Sequence, residues 1–369
     1  MNQKSNIINS LTGLRFYMMV IIILSHMEFL FALSGGDIYF NYFYNAYAAV
    51  SFFFILSGFG LAHSYKANST PVNFISSVKY AIKRVKKLYP LYITLLLICF
   101  PYCIYLSMAD GSTIIAAAVK NIIKLVLDVF LVQSATGILH LSNGLNSVSW
   151  FLSTLFLLYI CCPALLKLNE KFKKSAVAVC LAFSINFILM LLSYNIFKFI
   201  ECRSFFDALS YTSPYLRIFY LTSGILLCDI INLLHKKRFI PGTLGETAIT
   251  ILNIVWFFSR NSLQTDMLIK NIVDFFLCIL LILIFSFESG VVSKFLSNSF
   301  HTKYGSVTMY WFLIHYPVRL YVDELFGFLP FSKTMFIGIL ETAVIFAITI
   351  IITNIILHCK SQKATAIVS

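Results

Sequence analysis

Two residues in the first long apolar run could do chemistry. Arg15 and His26 stand eleven residues apart. At 100° per residue they share a helical face, with His26 about 16 Å further along the axis. A guanidinium at a membrane mouth suits a phosphate, because it is always charged and presents a planar fork of donors. An imidazole at depth suits proton transfer near neutral pH. Each also has a plain reading, a snorkelling arginine and a histidine hydrogen-bonded between helices. Glu28 points to another face and is not paired with His26. A second histidine, His315, lies in the apolar run 305–322 together with Thr308, Tyr310, Pro317 and Arg319. Its depth matches that of His26, which would allow the two rings to meet in one cavity.

Two further clusters are less specific. Lys83, Arg84, Lys86 and Lys87 end just before Tyr89-Pro90-Leu91-Tyr92. By charge alone this is the basic loop any membrane protein shows on its cytoplasmic side. Ser57-Gly58 interrupts the bulky run Phe52-Phe53-Phe54-Ile55-Leu56, where small residues let helices approach closely. The nine cysteines show neither disulfide nor metal-ligand spacing, so no metal is expected. Phosphate-binding glycine loops, nucleophile elbows and metalloprotease motifs have no match placed to act.

The elements that must carry these residues follow from composition. Of 369 residues 59% are hydrophobic and 12% charged, and the mean hydropathy is +0.86, which excludes the soluble globular class. Ten runs are long and apolar enough to read as spans: 13–33, 47–65, 88–108, 148–166, 176–197, 215–234, 243–259, 271–288, 305–322 and 335–357. With the N-terminus in the cytoplasm, cytoplasmic segments hold 18 Lys and Arg and outer segments 7, so the positive-inside rule puts both termini in the cytoplasm. The net charge of +13 is therefore topology, with no nucleic-acid role. Three arginines, Arg15, Arg217 and Arg319, fall within the apolar runs, where a charge needs a cavity or a partner. Ala32-Leu33-Ser34 loosely resembles a cleavage site, but the longer run before it, with His26, reads as a retained helix. Residues 113–130, in the outer segment 109–147, read as an amphipathic helix lying in the interface plane. Lys120, Lys124 and Asp128 form its polar face, and Ile115, Val119, Ile122 and Val126 its apolar one. It would serve as a surface anchor or as a lid beside an outer-facing site. The fold class is thus an all-α polytopic bundle of about ten transmembrane helices, a single membrane-embedded domain over 1–369.

Five motifs in order make the chain resemble the membrane-bound acyltransferase-3 family, whose members O-acylate sugars and glycans. Leu11-Thr12-Gly13-Leu14-Arg15 with His26 is similar to that family's opening element. Phe53, Phe54, Ser57, Gly58 and Phe59 match its second helix. Arg84, Lys87, Pro90, Leu91 and Tyr92 match its cytoplasmic loop. Trp150, Leu152, Ser153, Tyr159 and Pro163 match a middle helix, and Leu313, His315 and Pro317 a late one. The chain departs from the pattern at several points. Lys87 stands for a second arginine and gives up the bidentate fork. Leu155 stands for a frequent Glu, Ser51 for a frequent acid, and Phe312 and Thr308 for a common Tyr and Ser. The chain ends too soon for the extracytoplasmic domain that some members carry.

The resemblance implies transfer of an acyl group, most simply acetyl, from cytoplasmic acyl-CoA to a hydroxyl of a cell-surface or exported carbohydrate. It implies no tightly bound cofactor. His26 would be the general base and His315 its partner. Arg15, Arg84, Lys87, Ser57 and Gly58 would hold the acyl-CoA, its phosphates at the cytoplasmic mouth and its thin pantetheine arm reaching His26. Trp150, Tyr310 and Arg319 would meet the acceptor. Direct transfer and an acyl-enzyme route both fit. A lipid-linked glycan transporter and a catalytically silent scaffold remain as other classes.

Overall fold

The computed structural model describes residues 7–27, 39–44, 46–65, 73–173, 175–199, 206–328 and 334–368. Among them the regular structure is helical, with no strand. That is what lipid demands, since a spanning segment must satisfy its own backbone groups. Fifteen helices follow in order. They are α1 (Asn9–Leu24), α2 (Ala46–His63), α3 (Phe74–Val85), α4 (Tyr89–Ala109), α5 (Ile114–Val129), α6 (Leu139–Ser142), α7 (Trp150–Asn169), α8 (Ala176–Phe199), α9 (Pro214–Lys236), α10 (Gly242–Ser259), α11 (Met267–Phe285), α12 (Val291–Leu296), α13 (Ser299–Ser306), α14 (Thr308–Gly327) and α15 (Met335–Val368).

Among the described residues seven stretches are long and apolar enough to cross a bilayer: Tyr39–His63, Tyr89–Ala109, Trp150–Asn169, Ala176–Phe199, Ala208–Lys236, Met267–Phe285 and Phe336–Gln362. They coincide with seven of the ten expected spans. The other three, 13–33, 243–259 and 305–322, fall on α1, α10 and α13–α14. The described part of α1 has 16 residues, and 28–33 of that expected span lie outside the described residues. The 305–322 run is broken at Val307, so that α13 ends at Ser306 and α14 begins at Thr308.

The chain forms two compact units. The first comprises mainly Ser51–Pro241 and Phe275–Phe287. Within it α3 packs on α7, α4 on α5, and α9 on both α7 and α8. Gly58 of α2 and Gly224 of α9 make the closest approach. A Cβ on Gly58 would overlap the Leu221 carbonyl, and one on Gly224 would overlap the Ile55 carbonyl. This is small-residue packing between membrane helices.

The second unit comprises Ile8–Val50, Gly242–Asp274 and Glu288–Ser369. Here α1 packs on α12, α13 and α14, and α14 on α15. The Glu246 carboxylate caps the start of α12, accepting from the N–H groups of Gly290 at 2.7 Å and Ser293 at 2.8 Å. Glu288 accepts from the Ser10 N–H at the start of α1 at 2.8 Å. Arg260 and Asp274 form a buried ion pair at 2.9 Å, and Trp256 donates to the same carboxylate at 2.7 Å.

The expected helix at 113–130 is present as α5, but its polar face does not meet water as the sequence implied. Lys120 is exposed, Lys124 half-buried and Asp128 fully buried, while Ile115, Val119, Ile122 and Val126 point outward. The polar stripe turns inward because α4 offers it partners. Asn121 donates to the Ser107 hydroxyl at 3.1 Å and to the Cys103 carbonyl at 3.2 Å.

Candidate active site

In the second unit α1 and α14 run side by side. Arg15 Nη2 donates to Thr308 Oγ1 at 3.1 Å. Thr308 thus supplies the hydroxyl at the position where the family pattern has a serine. Seven residues further along α14, about 10 Å by helical rise, is His315. Its ring lies 5.2 Å from that of His26, centroid to centroid, at an interplanar angle of 63°. The two histidines do meet, as their matching depths allowed. The Tyr316 ring adds an edge contact to His26 at 5.7 Å.

One feature of the expected geometry is corrected. α1 ends at Leu24, so His26 sits in a turn past the helix and not on its continuing face. The cause is local. The Ser25 hydroxyl and His26 Nδ1 both donate to the Ile22 carbonyl at 2.7 Å, and Tyr39 donates to the Ser25 carbonyl at 2.6 Å. Side chains thereby take over the last turn's acceptors.

That turn fixes a tautomer. His26 Nδ1 donates to Ile22 O, and His315 Nδ1 donates to Trp311 O at 2.9 Å. In both neutral rings Nε2 is then the basic nitrogen. His315 is fully buried, and its Nε2 has no hydrogen-bond partner among the described residues. An orphaned buried base beside a second imidazole is an arrangement that folding alone does not require.

The other expected residues of this unit are spread along α14. Arg319 lies one turn beyond His315, with its guanidinium 5.6 Å from the Tyr316 ring. Tyr310 turns instead to α15. Lys360 Nζ donates to its hydroxyl at 2.8 Å and lies 4.9 Å from its ring centre. Tyr310 therefore belongs to the Thr308 end of α14, away from the histidine pair.

In the first unit Arg84 is exposed and held by two tyrosines. Its Nη2 donates to Tyr80 at 2.8 Å, and its guanidinium lies 5.1 Å from the Tyr80 ring and 5.9 Å from that of Tyr159. Burial pushes the Tyr80 phenol above its ordinary value, and Arg84 opposes that rise. Tyr159 also hydrogen-bonds Ser57, so it links two residues that the sequence assigned to one ligand. Ser57 donates to the Phe53 carbonyl at 2.7 Å. Lys87 is exposed in the turn after α3. Gly58 faces the Leu221 backbone, and its place in the structure is helix packing.

Trp150, at the start of α7, is buried, with its ring 5.0 Å from Tyr211 and 6.3 Å from Phe54. The same cluster holds Arg217, which the sequence marked only as a costly charge. Arg217 is fully buried. It donates to the Tyr211 carbonyl at 2.8 Å and to Ser51 at 3.3 Å, with Phe54, Tyr211 and Tyr220 around its guanidinium. Each such ring contact is worth about 0.5–2 kcal/mol. Tyr80, Tyr316 and this arginine box were not expected as site residues. Arg217 carried a signal as a charge within an apolar run, and Tyr80 carried one because it lies one helical turn before Arg84.

The fold and these side chains define a multi-pass helical membrane protein in which a half-buried histidine meets a fully buried one. Residues 8–358 match the family model for acyltransferase-3, described as an acyltransferase domain, and the chain belongs to that family. No curated protein and no solved structure matches it.

Proposed function

We propose that the protein is a transmembrane O-acyltransferase. It moves an acyl group, most simply acetyl, from cytoplasmic acyl-CoA to a hydroxyl of a cell-surface or exported carbohydrate. The family carries the general statement of acyl transfer. The observation that supports its chemistry is the His26–His315 pair, in which both Nδ1 atoms are held by backbone carbonyls. In the proposed step the acceptor oxygen attacks the thioester carbonyl carbon and gives its proton to His26 Nε2. The C–S bond breaks, and the departing CoA thiolate takes the proton from the imidazolium. His315, whose ring lies 5.2 Å from that of His26 and whose Nε2 is a buried acceptor without a partner among the described residues, is proposed to stabilise the protonated His26. Within the second unit Arg15 is the proposed donor to a CoA phosphate and Arg319 the proposed acceptor contact; within the first, taken by itself, Arg84 and Lys87 are proposed to meet phosphate and Trp150 the acceptor. The ten crossings with both termini in the cytoplasm, and a location in the cell membrane, belong to the same reading.

The test uses sealed membranes carrying the protein and acetyl-CoA labelled in the acetyl group. Mass spectrometry should find the label as an ester on the glycan fraction with the wild type and not with His26→Ala. Equal labelling by a folded His26→Ala variant would sink the proposal. Purified protein that neither hydrolyses nor binds acetyl-CoA would point to a scaffold or a transporter instead.

A further inference from the structure

A groove lies between α5 and α6 in the first unit, and none of the residues assigned above lines it. Its volume is about 750 Å³, and it is lined by Ile115, Val119, Ile123 and Leu141, with Lys120 and His140 at its edge. Two observations bear on what fills it.

The first is the outward apolar face of α5. Ile115 is 74% exposed, and Val119, Ile122, Ile123 and Val126 are each about half exposed. Left in water, a continuous face of this kind is unfavourable by roughly 25 cal/mol for each Å². Laid on hydrocarbon it carries no such cost, as in helices that lie in a membrane interface.

The second is charge. Lys120, Lys124 and His140 share one local field. Burial and then Lys120 hold the Lys124 ammonium below its ordinary value, with Cys103 and Asp128 opposing. Burial, Lys124 and Lys120 do the same to His140, which at neutral pH is therefore a neutral hydrogen-bond donor, and the positive charge at the groove is that of the exposed Lys120. Asp128 is the acid of this helix, but its carboxyl is buried and pushed up to about 7, so it is only part-ionised at neutral pH and offsets only part of the positive field. A cationic edge on an apolar groove matches an amphiphile with an anionic head. Free phosphate would not use the apolar wall, and a neutral glycan would use neither feature.

We propose that the α5–α6 groove binds an anionic phospholipid, with an acyl chain along Ile115, Val119 and Ile123 and the phosphate at Lys120 and His140. The bound lipid would seat α5 in the interface and hold the outer segment in place.

The test is lipid competition on the full chain. Delipidated protein in detergent is given equal dioleoylphosphatidylglycerol and dioleoylphosphatidylcholine, and native mass spectrometry reads which is retained. The wild type should prefer the glycerol lipid. Lys120→Gln with His140→Gln should cut that preference by about fivefold or more, the scale of one lost basic contact at a membrane surface. A photoactivatable phosphatidylglycerol should crosslink to the peptide 115–123. The proposal is overturned if the wild type shows no preference, if the double variant keeps it, or if the crosslinks fall only elsewhere. It is equally overturned if inorganic phosphate or a soluble glycan displaces the lipid.

Discussion

Replacing His315 by Phe separates catalysis from stability. The His315 Nε2 is buried without a partner among the described residues, and an unsatisfied buried acceptor costs about 1–3 kcal/mol. Phe keeps a ring of similar shape against His26, 5.2 Å away, and Phe312, 6.1 Å away. It gives up the Nδ1 bond to Trp311 O, worth about 0.5–1.5 kcal/mol, while that carbonyl keeps its helical N–H. The net expectation is a variant more stable by about 1 kcal/mol. Its acyl-transfer rate should fall by about 10²–10⁴ if the ring helps carry the proton from the acceptor. The rate–pH profile of His315→Gln should also lose the ionisation of a two-imidazole site. Thermal unfolding in detergent and label transfer in membranes read the two effects. A variant that transfers at the wild-type rate refutes the role. One that loses activity together with several degrees of melting temperature shows that His315 was a structural histidine, and the orphaned nitrogen argument fails.

Four shorter predictions follow from other contacts. Gly58→Val should destabilise by about 3 kcal/mol, the upper end for overpacking, because its Cβ meets the Leu221 carbonyl; normal yield and melting would contradict the close α2–α9 approach. Tyr80→Phe should raise KM for acyl-CoA with little change in kcat, since it frees Arg84 from a 2.8 Å bond without removing its charge; an unchanged KM would remove that clamp from the site. Arg15→Lys should also raise KM for acyl-CoA, because the fork that reaches Thr308 is lost while the charge remains. Asp128 is held protonated by burial up to about pH 7 against an ordinary 3.8. The folded chain therefore binds a proton that the unfolded chain releases, so stability is greater at low pH and declines as pH rises towards 7. Melting temperature should fall from pH 5 to about pH 7 in the wild type and level off above it, by an effect of at most about 3 kcal/mol. Asp128→Asn should flatten that slope.

The helices were legible because lipid leaves a long apolar run no other regular structure. Their ends were not. Nothing in the run around residue 26 announces that Ser25 and His26 will take the Ile22 carbonyl and stop α1 at Leu24. The facing of α5 was misread for a related reason. Periodicity gives two faces, but which one turns inward depends on a neighbour, and α4 presents Cys103 and Ser107 to the polar one. The histidine pair was foreseen from depth alone, while the tyrosines around Arg84 needed the approach of α3 to α7.

Register is the part that connects motif to chemistry. In the Leu11–Arg15 element Gly13 lies against the Leu296 carbonyl, and Thr12 offers its own carbonyl to Gly305; a Cβ on either glycine would overlap the oxygen it faces. Three residues on from Thr12, one helical turn, is Arg15, and three on from Gly305, across the break at Val307, is Thr308. The close contact at Thr12 and Gly305 therefore places Arg15 at the level of Thr308, where the 3.1 Å bond forms. His26 stands eleven residues beyond Arg15 and His315 seven beyond Thr308, so the two rings meet through the turn that follows α1 and not at one shared helical level. The glycine between Thr12 and Leu14 thus sets how closely α1, which leads into the turn holding His26, approaches α12. Gly13→Ala should separate α1 from α12 and loosen the His26–His315 contact, lowering kcat at near-normal expression. A variant with wild-type kcat would show that the register is set elsewhere.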